Sequence, residues 1–228
     1  MSRIVITGAS GVIGSVLVRG LRGHTVRGVD LPEQDLTSEG EATRAALDAD
    51  QIVHLAWNTR VENFLSDRID PANAGMTRSV LAAAVHAGVG RVVVASSVHA
   101  DEYPAPADVH LLSSDRVSRP TSLYGADKVF CEALGRVYAS RGPEVVAVRF
   151  GGVNRADQVP TGCTTERAVW LSHRDCVGLL QAILDAPVRA RTYSCLYAVS
   201  ANAGRWHDLD NPFGWSPSDS DEARAATT

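Results

Sequence analysis

Thr7-Gly8-Ala9-Ser10-Gly11-Val12-Ile13-Gly14 decides the fold of this 228-residue chain. A short β-branched run, residues 3–7, leads into it, and a helical pattern, residues 12–21, leads out. Glycines spaced G-x-x-G-x-x-G allow a tight turn and a close approach to the backbone. A helix that starts there offers unpaired N–H groups to a pyrophosphate. Strand, glycine turn and helix together open a dinucleotide-binding unit. Asp30 ends the next strand run, residues 25–29. A carboxylate at that place bonds the adenosine ribose and repels the added phosphate of NADP. NAD is the expected cofactor, held by Gly8, Ser10, Gly11, Val12, Ile13, Gly14 and Asp30. Arg27, inside the strand, suits a surface role.

Outward from this unit, short apolar runs alternate with longer helical patterns. Strands are predicted at 3–7, 25–29, 51–55, 91–95 and 144–149, and helices at 12–21, 39–47, 71–87 and 124–140. That rhythm is the mark of an α/β fold, a Rossmann-type doubly wound parallel sheet. Val92-Val93-Val94 runs without alternation, as a strand covered on both faces does. Two further sites follow from position: Leu55 and Ala56 at the end of the third strand, and Asp35-Leu36 after the second, near the adenine. Residues 100–122 read as a long loop. After Arg149 the rhythm breaks into a polar loop, a helix at 168–184 and a strand at 191–199. We therefore expect a cofactor-binding core at 1–150, a small substrate-binding portion of the same domain at 151–215, and a flexible tail at 216–228.

Composition narrows the class. Hydrophobic residues make up 45% and charged residues 21%, ordinary for a soluble globular chain. A net charge of −4 without any basic cluster argues against nucleic acid. The four cysteines lack C-x-x-C pairing and read as reduced thiols. None of the histidines shows metal-ligand spacing. No apolar run reaches membrane-spanning length, and the start of the chain lacks a signal-peptide pattern. The expected location is the cytoplasm, the expected partners a small-molecule substrate and further copies of the chain in a homo-oligomer.

Among 22 basic residues only one is a lysine, Lys128. It stands four residues after Tyr124, so the two share one helix face. Arginine is a planar fork with a fixed charge, while lysine is a compact point charge with an adjustable pKa. An ammonium beside a phenol lowers the phenol pKa and makes it a general base. Ser96-Ser97 ends the strand at 91–95, at the carboxyl edge where such sheets bind ligands.

A strand-end serine, Tyr-x-x-x-Lys and the N-terminal glycine turn together resemble the short-chain dehydrogenase/reductase superfamily, in its extended epimerase/dehydratase branch. The resemblance covers residues 1 to about 150. It implies that Tyr124 is the general acid/base, that Lys128 bonds the nicotinamide ribose and that Ser97, the last of its pair, holds the substrate oxygen. Tyr124, Lys128 and Asn73 would then also meet the cofactor. Ser97-Val98-His99, Trp170-Leu171-Ser172-His173 and Phe213-Gly214-Trp215 are similar to bacterial uronate dehydrogenases. That narrower resemblance implies a pocket lined by Thr59, Ser97, His99 and Phe213. Val98 stands where those enzymes carry an asparagine for the sugar. Arg167 lies two residues from the register of their carboxylate-binding arginine, and is the candidate to replace it. The expected activity is NAD-dependent interconversion of a secondary alcohol and a carbonyl on a polar, sugar-like molecule, with an uncharged alcohol preferred over a uronate. Two alternatives stay open: a nucleotide-sugar epimerase or dehydratase that retains its NAD, and a non-catalytic NAD-binding regulator.

Overall fold

The computed structural model describes residues 1–58, 68–104 and 111–225. Six strands form one parallel sheet: β1 Arg3–Thr7, β2 Thr25–Val29, β3 Gln51–His54, β4 Arg91–Ser97, β5 Glu144–Phe150 and β6 Tyr193–Ala198. Their spatial order is β2-β1-β3-β4-β5-β6. The helices are α1 Val12–Gly20, α2 Glu39–Ala46, α3 Pro71–His86, α4 Leu123–Ala139, α5 Thr164–Ala168, α6 His173–Asp185 and α7 Asp221–Ala225. Among them no helix is long and apolar enough to cross a membrane.

The pleat explains the continuous valine run. Val92 and Val94 pack in one core with Leu81, Ala84 and Cys131, while Val93 packs in the opposite core with Leu179 and Ile183. Both faces of the sheet are therefore buried. The strand order reverses between β1 and β3, which opens a crevice at their carboxyl ends.

At the amino ends the sheet is closed by a buried ion pair. Arg91 donates to Glu144 at 2.9 Å, to Gln51 Oε1 at 2.9 Å and to the Ala186 and Pro187 carbonyls at 3.0 Å. Glu144 also accepts from the Arg189 amide at 3.0 Å. A buried pair with all its partners present is tolerated, whereas removal of one partner costs about 3–5 kcal/mol.

Two elements differ from the sequence reading. The helix expected at 168–184 is split, because the chain turns at Val169 and residues 170–172 run beside the loop after β5. The Gly152 amide donates to the Val169 carbonyl at 2.9 Å and the Leu171 amide to the Gly152 carbonyl at 3.0 Å. Ser172 then caps α6 by accepting from the Asp175 amide at 3.0 Å. The tail expected to fray from residue 216 is anchored instead. Asp175 accepts from the Ser218 amide at 2.7 Å, and Asp219 accepts from Ser172 Oγ at 2.7 Å and pairs with Arg174 at 2.6 Å. Apolar periodicity cannot reveal an anchor made of carboxylates. Residues 226–228 lie outside the described residues.

Two histidines are buried as neutral rings. Thr7 Oγ1 accepts from the Leu55 and Ala56 amides at 3.2 Å, so its own proton goes to His54 Nδ1 at 2.8 Å. That leaves His54 as the Nε2–H tautomer, aimed at Thr77 Oγ1 3.3 Å away. His207 packs on Tyr197 with ring centroids 4.5 Å apart, and neither ring nitrogen has a hydrogen-bond partner among the described residues. Burial pushes both rings down to a pKa of about 3. The unfolded chain takes up these protons below about pH 6.5, while the fold resists them. Their contribution is thus complete above that pH and declines as the pH falls towards 3. From pH 6.5 to 5 each histidine costs about 2 kcal/mol. Thermal unfolding should show a Tm roughly 10 °C lower at pH 5 than at pH 7.5. His207→Phe, which keeps the ring stack, should remove about half of that difference. An undiminished difference would show that other groups carry the acid lability.

Candidate active site

The glycine turn is shaped by contacts that a side chain would obstruct. Gly8 has φ +68°, and a Cβ there would lie 2.7 Å from the Ala56 nitrogen. A Cβ on Gly14 would lie 2.2 Å from the Gly8 carbonyl oxygen, so the start of α1 sits directly on the turn. Asp30 is held in place by the Ser10 amide at 2.8 Å and the Leu31 amide at 2.9 Å. Beside the turn lies a cavity of about 600 Å³ lined by Gly8, Asp30, Asp35, Leu36, Leu55 and Ala56. Ser10 lies with Asp30 on the outer side of the turn. Asp35 turns its carboxylate to the Thr37 hydroxyl and amide, which hold its pKa down. Arg27 donates to the Ala45 carbonyl at 2.8 Å, close to the end of α2. These residues make a phosphate- and ribose-sized cradle, and a dinucleotide fits them.

A second cavity of about 620 Å³ holds the reactive groups, with Val12, Ile13, Ser97, His99 and Tyr124 in its wall. Trp57 and Asn58 line both cavities and mark where they meet. Asn73 is buried on α3 and accepts from the Asn58 amide at 2.6 Å, pinning the chain as it leaves β3.

Tyr124 is delivered by the start of α4. Ser122 caps that helix by accepting from the Gly125 amide at 3.1 Å. A Cβ on Gly125 would meet the His99 carbonyl oxygen at 2.0 Å, so only glycine lets α4 seat against residues 98–100. The seating brings Tyr124 into the same cavity wall as Ser97, whose hydroxyl acts to lower the phenol pKa. Ser97 Oγ also accepts from the His99 amide at 3.2 Å. The His99 ring lies 3.9 Å from the Tyr103 ring and 5.6 Å from that of Tyr124, between centroids. Ser96 points to the other face of the sheet and donates to Glu132 at 2.5 Å. Glu132 in turn receives two 2.8 Å bonds from buried Arg149, which also donates to Tyr197.

The expected contact between ammonium and phenol is not the one observed. Lys128 Nζ donates to the Ala95 carbonyl at 3.1 Å and lies 3.2 Å from the Trp57 ring centroid, but 5.8 Å from that of Tyr124. Burial lowers the Lys128 pKa to about 8. Burial also raises the Tyr124 pKa, opposed by the Ser97 hydroxyl. Burial thus favours the protonated phenol.

The substrate residues divide. Ser97 and His99 line the catalytic cavity. Thr59 lies outside the described residues. Arg167 is ion-paired with Asp221 and is not among the described lining residues. Phe213 sits at the opposite edge of the sheet, its ring 5.9 Å from the Arg91 guanidinium and 5.4 Å from that of Arg189. Arg167 and Phe213 are thus not among the described residues that line this cavity, and each has partners elsewhere.

A model described as the NAD dependent epimerase/dehydratase family matches residues 4–153, and the chain belongs to that family. L-arabinose 1-dehydrogenase (NAD(P)(+)) of Haloferax volcanii is 33% identical over 96% of this chain and 97% of its own length. Uronate dehydrogenase of Agrobacterium fabrum is 32% identical over 98% and 87%. A mutant of uronate dehydrogenase from Agrobacterium tumefaciens, crystallised with NAD, superposes with a TM-score of 0.74. It is 27% identical, over 100% of this chain and 88% of that one.

Sequence reasoning missed Trp57, Tyr103, Asp127 and Glu166, all of which line the catalytic cavity. Two carried a signal: Trp57 directly follows Leu55-Ala56, and Asp127 lies within the Tyr-x-x-x-Lys spacing. Gly125 was equally legible there, though its reason is not. Gly125→Ala should destabilise the fold by about 1–3 kcal/mol, since backbone must move to admit the methyl group. Thermal unfolding should register this as a drop of several degrees. An unchanged Tm would mean that the seating of α4 is looser than its contacts imply.

Proposed function

We propose that this member of the NAD-dependent epimerase/dehydratase family oxidises a secondary alcohol of a sugar-like molecule, with Tyr124 as general base. The observation that carries the reading is that Tyr124 and Ser97 stand together in the wall of a cavity that adjoins the dinucleotide cradle. The names of the two relatives, dehydrogenases of a sugar and of sugar acids, support the same reaction class.

NAD, when bound, supplies the hydride acceptor for the alcohol carbon. Gly8, Ser10, Gly11, Val12, Ile13 and Gly14 would hold its pyrophosphate on the N-terminus of α1. Asp30 would take the adenosine ribose, Asp35 and Leu36 the adenine, and Leu55, Ala56 and Asn73 the passage towards the reactive end. Lys128, beside Tyr124, would take the nicotinamide ribose. Ser97 holds the substrate oxygen, and Tyr124 accepts its proton in oxidation and returns it in reduction. Residues 151–215 complete the substrate side, since Gly151, Asn154 and Glu166 share the cavity wall. The protein acts in the cytoplasm as a homo-oligomer. Phe130 and Val137, two turns apart on α4 and each about half exposed, support such an interface.

Tyr124→Phe should abolish turnover and leave NAD affinity unchanged, as only the proton acceptor is lost. More than a few percent of residual activity would sink the assignment. Lys128→Arg should be severely impaired, because a bulky fork cannot replace a buried point charge. In calorimetry NAD should bind at least about tenfold tighter than NADP, roughly 1.4 kcal/mol. Asp30→Ala should narrow that gap, and equal wild-type affinities would refute the role given to Asp30.

A further inference from the structure

The wall of the catalytic cavity carries more acid than the reaction uses. Asp70, Asp127 and Glu166 line it, and Arg68 is the one arginine or lysine among its described lining residues. Asp70 is already satisfied, accepting from the Ala72 amide at 3.0 Å and from Asn58 Nδ2 at 2.5 Å. Asp127 is not. It is only 5% exposed, and no hydrogen bond from a described residue reaches it. Lys128, next along the helix, directs its ammonium to the Ala95 carbonyl and the Trp57 ring. Glu166 stands on the exposed side of the cavity, close enough to Tyr103 for its charge to act on that phenol. The neighbouring Arg167 pairs away from the cavity with Asp221.

An acceptor that faces the cavity without a donor from the described residues is open to a ligand hydroxyl, which can donate to it. A ligand carboxylate or phosphate cannot, since it would lose its hydration among like charges. Buried Val98, also in the wall, offers an anion nothing in exchange.

We propose that the substrate is an uncharged, hydroxyl-rich sugar or polyol, that Asp127 accepts a hydrogen bond from one of its hydroxyls, and that Asp127 and Glu166 together exclude sugar acids and sugar phosphates. This rests on the reading of the cavity as an alcohol-oxidation site. It makes Asp127 and Glu166 specificity-determining residues.

The test separates binding from turnover. Tyr124→Phe, saturated with NAD, is titrated by calorimetry with glucose against glucuronate, galactose against galacturonate, and L-arabinose. At least one aldose should bind about tenfold or more tighter than its uronate. Adding Asp127→Asn should weaken the aldose several-fold, and adding Glu166→Gln should bring the aldose-to-uronate ratio within about threefold. Thermal unfolding checks that both variants fold, and Glu166, on the exposed side, decides the matter if Asp127→Asn does not. Uronates that bind as tightly as aldoses, a ratio untouched by the substitutions, or no binding by any sugar would each overturn the proposal. An aldose that is bound but never oxidised by the wild-type protein with NAD would instead refute the reaction and leave the substrate class standing.

Discussion

Burial of both faces of a parallel sheet is the constraint on which this structure depends. Helices cover the two faces, so ligands can reach the sheet only at its strand ends. The two ends are treated in opposite ways. At the amino end Arg91, Glu144 and Gln51 satisfy one another within the fold, so the charge there is spent on closure. At the carboxyl end hydroxyls, amides and carboxylates face cavities. The reversal of strand order between β1 and β3 decides where those cavities lie.

One hydroxyl ties the two halves of that open end together. Thr7 Oγ1 accepts from the first two amides beyond β3 and donates to His54, which reaches Thr77 on α3. The cofactor turn and the chain leaving β3 are thereby held in register, and Trp57 is delivered to the junction of the cavities. Beneath Ser97, Ser96, Glu132, Arg149 and Tyr197 form a second tie between β4, α4, β5 and β6. Ser96 and Ser97 thus divide the labour of a strand end, one fastened into the support and the other presented to the cavity.

The electrostatics of the site follow from this burial. Loss of water penalises the charged form of each group, so the Tyr124 phenol rises and the Lys128 ammonium falls. The lysine is steadied by a carbonyl dipole and an aromatic face. Chemistry at Tyr124 therefore depends on what fills the space between tyrosine, lysine and Trp57. Asp127, one turn from the tyrosine and without a hydrogen bond from the described residues, adds to the same dependence on ligand.

The sequence by itself determined the fold, because β-branched runs, helical periodicity and the glycine turn are local signals that agree with one another. It also singled out Ser97, Tyr124 and Lys128 as candidates, through fixed spacings on one strand and one helix. It could not show the split of residues 168–184 or the anchoring of the tail, which rest on hydrogen bonds between segments far apart in the chain. Arg167 and Phe213 looked like pocket residues until their partners, Asp221, Arg91 and Arg189, were seen in space. The direction of the Lys128 ammonium and the places of Asp127 and Glu166 in the cavity wall were likewise decided only by tertiary structure. A side chain's identity is written in the sequence, but its solvent, its neighbours and the charge it meets are set by segments that packing brings together.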